Sequence, residues 1–193
     1  MKIVLASKSG VRKDILNKND IKCDVCPSNV NEDEVKNSLI STGASPLLIS
    51  KNLAELKSTK VSLRYPDQLV LGADSVISLS LKLINKPNSR EEAYSILKML
   101  NGKKHNLISS VCISKNGLMI WNYTDKASLT MKKMSDEEIS EYLEKISDEA
   151  LFAYNVYQIE GEGRSLFSKI EGDEDTIMGL PVKKIKEYIN SLS

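Results

Sequence analysis

At 193 residues, with 27 basic and 26 acidic side chains and a formal net charge of +1, the chain has room for one sizeable core, or two lobes sharing a cleft, but not for two large independent domains. That balance excludes a protein drawn as a whole to nucleic acid or to an anionic membrane, so a charged ligand must be met by a local site. No apolar run approaches the ~20 residues of a membrane span. Lys8, Arg12, Lys13 and Asp14 interrupt the opening apolar segment too early for a secretory signal, which makes a cytoplasmic location the expectation.

The first apolar run, Ile3-Val-Leu-Ala6, gives way to the polar Ser7-Lys-Ser-Gly-Val-Arg-Lys-Asp14 and then to Ile15 and Leu16 on an expected helix. A strand, a small polar loop and a helix start together offer backbone N–H groups and hydroxyls to an anion, with the helix dipole in support. Arg12 and Lys13 oppose that dipole, which makes sense if an anion binds there; a solvated helix start is the plainer alternative. Cys23 and Cys26 form a C-x-x-C, and with Cys112 they make an odd number of cysteines. With His105 the lone histidine and no second ligand pair, they read as half-buried thiols on a strand rather than a zinc or redox site. Pro27-Ser-Asn-Val-Asn-Glu-Asp-Glu34 reads as a turn-rich loop whose carboxylates suit either a hard divalent cation or a solvated turn.

Ser45-Pro46 signals a helix start, with Leu48, Ile49, Leu53 and Leu56 as its apolar stripe and Lys57 near its end, a surface lysine unless its neighbours decide otherwise. Leu69-Val-Leu71, bounded by Pro66-Asp67 and Gly72, reads as a buried strand, and this leaves Asp74 where the strand quits the core. A buried ionised aspartate needs a cation, a metal or a donor; capping a turn is the alternative. Ile77, Leu79, Leu81 and Leu83 alternate with polar residues, as in a strand or hairpin that presents Lys86 before a reversal at Pro87. Ser89-Arg-Glu-Glu92 reads as a capping box for a helix striped by Ala93, Ile96, Leu97 and Leu100, and His105 beyond it as a hydrogen-bonded structural residue. Strands are expected over 107–113, 118–123 and 127–131, with Asn116-Gly117 as a hairpin turn and Trp121 in sheet packing. A second capping box, Ser135-Asp-Glu-Glu138, opens a helix bearing Ile139, Tyr142, Leu143 and Ile146. Glu160 then lies in a glycine-flanked loop where backbone can approach a ligand closely. A strand over 165–170 and a final helix with Val182, Ile185, Ile189 and Leu192 on one face complete a single α/β domain over residues 1–193.

Seven segments stand out in order: Leu5-Ala-Ser-Lys-Ser-Gly-Val-Arg12, Val30-Asn-Glu32, Leu53-Ala-Glu-Leu-Lys57, Gly72-Ala-Asp-Ser-Val76, Asn85-Lys-Pro87, Leu100-Asn-Gly-Lys-Lys-His105 and Met178-Gly-Leu-Pro181. They resemble the L-A-S-x-S-P-R-R, V-D-E, L-A-x-x-K, G-A-D-T-V, G-K-P, L-x-G-x-x-H and V-G-L-P segments of the Maf (septum-formation, Maf-like) family of nucleoside triphosphate pyrophosphatases. Any one match is weak, but seven in register over nearly the whole chain are strong. The resemblance implies a mixed, twisted sheet with flanking helices and two lobes around a central cleft, as in ITPase-like folds. It also implies a hydrolase acting on acid anhydrides, which splits a nucleoside triphosphate into monophosphate and pyrophosphate and so sanitises nucleotide pools. Ser7, Ser9, Arg12, Lys57 and Lys86 would then hold the triphosphate. Glu32 and Asp74 would be the catalytic carboxylates and the ligands of Mg²⁺ or Mn²⁺, with Asp74 the proton acceptor.

The departures from the family pattern bear on the base. Gly10 replaces a proline and Val11 the first arginine, which is also absent from a branch of the family that acts on N7-methylated GTP. That branch reads S-E-G in the late loop where the UTP/dTTP-cleaving branch reads I-Q-G; this chain has Ile159-Glu-Gly161, and no D-K-A-G precedes it at Phe152-Ala-Tyr-Asn155. Glu160 offers acceptors only, which suits the N1 and N2 donors of guanine and the positive ring that N7 methylation leaves. Val11, Ser75 and Glu160 are therefore expected to shift base choice away from UTP and dTTP. A non-catalytic, nucleotide-binding regulator of division or septation would keep Arg12, Lys57 and Lys86 without needing Asp74, so the carboxylates favour the enzyme. Lys103-Lys104, Lys132-Lys133 and Lys183-Lys184 are scattered, flanked by acids and without interleaved aromatics, and no nucleic-acid or membrane partner is expected. A homodimer is left open.

Overall fold

The opening run forms strand β1 (Ile3–Leu5), fully buried, in the computed structural model of the chain, which describes residues 2–192 without the side chains of residues 153 and 154. Helix α1 (Gly10–Lys18) follows, capped by the Ser9 hydroxyl, which accepts from the Arg12 N–H. Arg12 lies in its first turn, as expected. After β2 (Cys23–Val25), the acidic stretch expected as a loop is instead the first turn of α2 (Glu32–Ser41), where Asn31 caps the helix and Glu32, Asp33 and Glu34 complement its dipole. The cysteines are free, with Cys23 and Cys26 half-buried.

Helix α3 (Pro46–Ser62) buries Ile49, Ser50, Leu53, Ala54, Lys57, Ser58 and Val61, while Leu48 and Leu56 from the expected stripe are exposed. The buried face is thus rotated toward small residues, and its target explains why. Strand β3 (Val70–Leu79) does not end at Gly72 but runs on through Asp74, and α3 lies so close over it that a Cβ on Gly72 would come within 2.2 Å of the Ala54 carbonyl oxygen. Gly72 is a contact point, not a turn.

The remaining elements are β4 (Lys82–Ile84), α4 (Arg90–Leu100), β5 (Lys104–Lys115), β6 (Leu118–Met131), α5 (Asp136–Glu144), α6 (Asp148–Tyr154), β7 (Phe167–Glu171), α7 (Glu174–Ile177) and α8 (Val182–Ser191). The two strands expected over 118–123 and 127–131 are one continuous β6, and residues 162–166, expected partly as strand, form a 3₁₀ turn before β7. Ser89 caps α4, but Glu92 reaches the N–H of Asn88 rather than closing a box, whereas the Ser135 box on α5 is complete. Helices α2, α6 and α7 carry too little apolar periodicity to be read from the sequence.

All seven strands form one mixed sheet in the order β2-β1-β3-β5-β6-β7, with β4 also on β3. Strand β3 is parallel to β1 and antiparallel to β4 and β5. Two main cores pack on this sheet. One gathers β1, α1, the start of β3 and α8; the other gathers the end of β3, α4, α5, β7 and the segment around Tyr157. The expected two-lobed α/β fold is therefore present, and β3 passes from one lobe to the other. On one edge, β3 pairs with β1 only at Val70 and Leu71 and with β4 only from Ile77 onward. The stretch between has no strand beside it on that edge, and there the sheet opens into a cleft.

Gly72→Ala should lower unfolding free energy by about 3 kcal/mol or more, the upper range of overpacking costs, because the contact is with backbone that cannot rotate away. Urea denaturation measures this, and a change below about 0.5 kcal/mol, the level of an indifferent surface substitution, would contradict it.

Candidate active site

Backbone groups on an unpaired strand edge must find partners when buried, and the chain supplies them from side chains. The Ala73 carbonyl, on that edge, accepts from Arg12 Nη1 at 3.0 Å; the Asp74 carbonyl, which strand alternation turns toward β5, accepts from the Ser50 hydroxyl of α3 at 3.1 Å. Arg12 also donates from Nε to the Gly179 carbonyl (3.0 Å), from Nη1 to Ser7 Oγ (3.2 Å) and from Nη2 to Ser75 Oγ (3.2 Å). Burial pushes the guanidinium's pKa down, and the charges of Asp74 and Glu32 pull it back up. Arg12 thereby ties α1, β3 and the loop before α8 together at the cleft. Gly179 has a φ of +93°, and a Cβ there would lie 3.0 Å from Ser75 Oγ, so this loop can approach only with glycine.

On the opposite face of β3, Asp74 points toward α3. Its Oδ1 accepts from Lys57 Nζ at 2.7 Å, and the same ammonium reaches Glu32 Oε1 at 2.8 Å. Lys57 is no surface lysine but is 5% exposed, and Asp74 is 4% exposed. Glu32, at the N-terminus of α2, keeps a half-exposed carboxylate 3.9 Å from Lys36. Burial pushes the Glu32 carboxyl upward, but Lys57, Lys36 and Lys86 outweigh it and hold the group below its ordinary value. Lys86 stands near these groups, its pKa lowered mainly by desolvation and raised in part by Glu32 and Asp74.

These groups line a cleft of about 430 Å³, within the range of small-molecule sites. Ser7, Ser9, Arg12, Glu32, Lys57, Asp74 and Lys86 all border it, as do Val11, Ser75 and Glu160. Every candidate named from the sequence is thus brought to one place. Lys8 and Lys36 line it too and were missed; Lys36 lies one helical turn from Glu32, a spacing hidden while 32–34 read as loop. Five cationic side chains and three carboxylates line the cleft, and Ile77, Leu107, Tyr157, Ile159, Ile177 and Met178 give it an apolar wall, with Glu160 following Ile159.

Asp74 Oδ2 is buried without a hydrogen-bond partner, which is costly unless another group meets it. With Glu32 beside it, it gives a pair of hard oxygen donors, the set Mg²⁺ takes when substrate phosphates complete its shell. Among the described residues no group of three or more His, Cys, Asp or Glu stands ready to hold a metal, so the pair suits an ion delivered with substrate rather than a dedicated protein cage.

Fold and site define a class: a two-lobed, mixed α/β protein with a cation-rich cleft, two carboxylates bridged by a lysine, and an apolar wall. The chain belongs to the Maf-like protein family, whose profile matches residues 2–192. A relative from Pelagibacter ubique, named nucleoside triphosphate pyrophosphatase, is 69% identical over 187 residues, 97% of this chain and 96% of that one. A 7-methyl-GTP pyrophosphatase from Rhizobium johnstonii is 37% identical, covering 96% of both chains. Among solved structures, a HAM1 protein from Coxiella burnetii matches 69% of this chain and 74% of its own at 13% identity, with a TM-score of 0.46. No helix among the described residues is long and apolar enough to cross a membrane.

Lys57→Met should cost about 3–5 kcal/mol at pH 7, since it leaves the Asp74 carboxylate buried without its cation. Glu32, whose folded pKa is depressed, contributes stability that is present at neutral pH and lost as pH falls below its ordinary value of 4.5. The gap between wild type and variant should therefore narrow in acid. Equal stability of the two proteins at pH 7 in chemical denaturation would contradict this account.

Proposed function

We propose that the protein hydrolyses a nucleoside triphosphate to the monophosphate and pyrophosphate. The observation that carries this reading is the buried Lys57 bridge between Asp74 and Glu32, which leaves Asp74 Oδ2 unpartnered in a cleft lined by cations. Lys8, Lys36 and Lys86 supply positive charge for the phosphates, with the Ser7 and Ser9 hydroxyls in the same cleft. The apolar wall takes the base. Four of the five N–H donors of Arg12 are engaged by protein acceptors, so its part is to hold the cleft's geometry and lend charge at short range. Lys57 aligns both carboxylates and helps hold the Glu32 carboxyl below its ordinary pKa. Asp74 accepts the proton of the attacking water as the α–β anhydride breaks, and pyrophosphate leaves with the electron pair of the broken bond. Asp74 and Glu32 would hold Mg²⁺ or Mn²⁺, which would supply a lowered water pKa and charge to offset the phosphates.

For the base, we read Val11, Ser75 and Glu160 as the selecting residues, with 7-methyl-GTP the favoured substrate. Support comes from the names of relatives such as the one from Rhizobium johnstonii and from Glu160, an exposed carboxylate at the cleft. Ser75 is held by Arg12 and by Ser109 Oγ at 2.8 Å, so it acts on selection through the position of Arg12 and the Gly179 loop.

The test is product analysis with canonical and N7-methylated triphosphates, with Mg²⁺ or Mn²⁺ and with chelator. Wild type should release equal amounts of monophosphate and pyrophosphate only with metal, and Asp74→Asn should lose at least about 10²-fold, the scale of general-base catalysis. Glu160→Gln should erode the preference for 7-methyl-GTP. Release of orthophosphate and nucleoside diphosphate, or full activity in Asp74→Asn, would refute the reading; nucleotide binding without turnover would favour the regulatory alternative.

A further inference from the structure

The ring of Tyr157 belongs to the cleft's apolar wall, but its hydroxyl forms with His105 a buried polar pair that the proposed chemistry does not use. His105, near the start of β5, has no exposed surface, and its Nε2 lies 2.9 Å from the Tyr157 hydroxyl. Both rings pack on Phe167 of β7, with Tyr157 edge-on at a centroid distance of 4.8 Å. Burial lowers the His105 pKa to about 4, against a weaker upward pull from the Lys103 backbone, and raises that of Tyr157, so both are neutral at pH 7. A neutral pair inside an apolar core is held for geometry rather than charge.

The geometry concerns the segment after α6. Tyr157 lines the cleft, and Gln158, Ile159 and Glu160 follow it along the same wall. One residue before it, the Val156 carbonyl accepts from the Tyr142 hydroxyl of α5 at 3.0 Å. One residue after it, Gln158 is pinned from outside: a Cβ on Gly163 would fall 2.6 Å from the Gln158 carbonyl oxygen and 2.7 Å from its nitrogen. A segment with little regular structure is thus fastened at three successive residues, by β5, by α5 and by the following 3₁₀ turn, just before it presents Glu160.

We propose that His105, Tyr157 and Tyr142 are positioning residues for nucleobase discrimination, fixing the 156–160 segment so that Gln158, Ile159 and Glu160 meet the base in one register. The inference rests on the reading of the cleft as a nucleotide site. A hydrogen-bonding edge discriminates only when its acceptors are held in place, since displacement by about 1 Å forfeits most of the gain. The cationic side of the cleft is built from other elements, so loosening this segment should leave phosphate binding intact.

Tyr157→Phe in the full chain removes the hydroxyl and keeps the ring on Phe167. Binding by calorimetry with Mg²⁺ would use analogues of 7-methyl-GTP, GTP and UTP with an uncleavable α–β bridge, beside inorganic pyrophosphate. The ratio of strongest to weakest nucleotide affinity should fall roughly three- to tenfold, the worth of one buried hydrogen bond, with pyrophosphate affinity unchanged. Amide exchange over 156–160 should accelerate, and with cleavable substrates the loss should lie in KM rather than kcat. An unchanged ratio, whether or not all ligands weaken together, would overturn the inference. Wild type that discriminates among the analogues yet cleaves none of the substrates would refute the hydrolytic reading while leaving this one standing; wild type that binds every base alike would overturn this one whatever the activity.

Discussion

A lysine ammonium held between two carboxylates inside a protein is stable only if backbone and side chains around it are placed closely enough to offset desolvation, and most of this fold can be understood from that demand. Lys57 reaches Asp74 because α3 presses onto β3, and α3 can press that closely because Gly72 has no side chain and Ser50, Ala54 and Ser58 have small ones. Glu32 reaches the same ammonium because Asn31 starts α2 at that residue. The capping of one helix and the packing of another thus converge on a single nitrogen.

The second constraint is the gap in the sheet. Where β1 has ended and β4 has not begun, β3 would expose unsatisfied backbone. Arg12 stands in for the missing strand at the Ala73 carbonyl, and a cleft remains where a strand would have been. The two cores meet along β3, and most of the cleft's apolar lining comes from the core that gathers the end of β3. Polar phosphates and a flat base require a surface that is charged in one part and apolar in another.

Sequence patterning revealed the elements whose apolar period is strong: α4, α5, α8, the β5–β6 hairpin and the start of β3. It failed where a residue's meaning depends on something distant. Gly72 reads as a turn because nothing local shows α3 above it, and Lys57 reads as solvent-exposed because its partners lie 17 and 25 positions away in the chain. Glu32 to Glu34 read as a loop because their helix has no buried residue to give it a period. The residues that the short motifs name nonetheless all line one cleft, since ordered motifs report a site even when the local structure around each is misjudged, whereas Lys8 and Lys36 carry no such signal. The fastening of the 156–160 segment was not legible, because a lone histidine and two tyrosines carry no spacing that announces a contact.

In the proposed reaction Asp74 and Glu32 form one centre with the substrate's phosphates. The most direct measurement is paramagnetic broadening by substoichiometric Mn²⁺ in protein with ¹³C-labelled Asp and Glu carboxylates, in the presence of an uncleavable nucleoside triphosphate analogue. The Asp74 and Glu32 signals should broaden first and together, and without nucleotide the effect should be much weaker. Sharp Asp74 and Glu32 signals while other carboxylates broaden would contradict a shared centre.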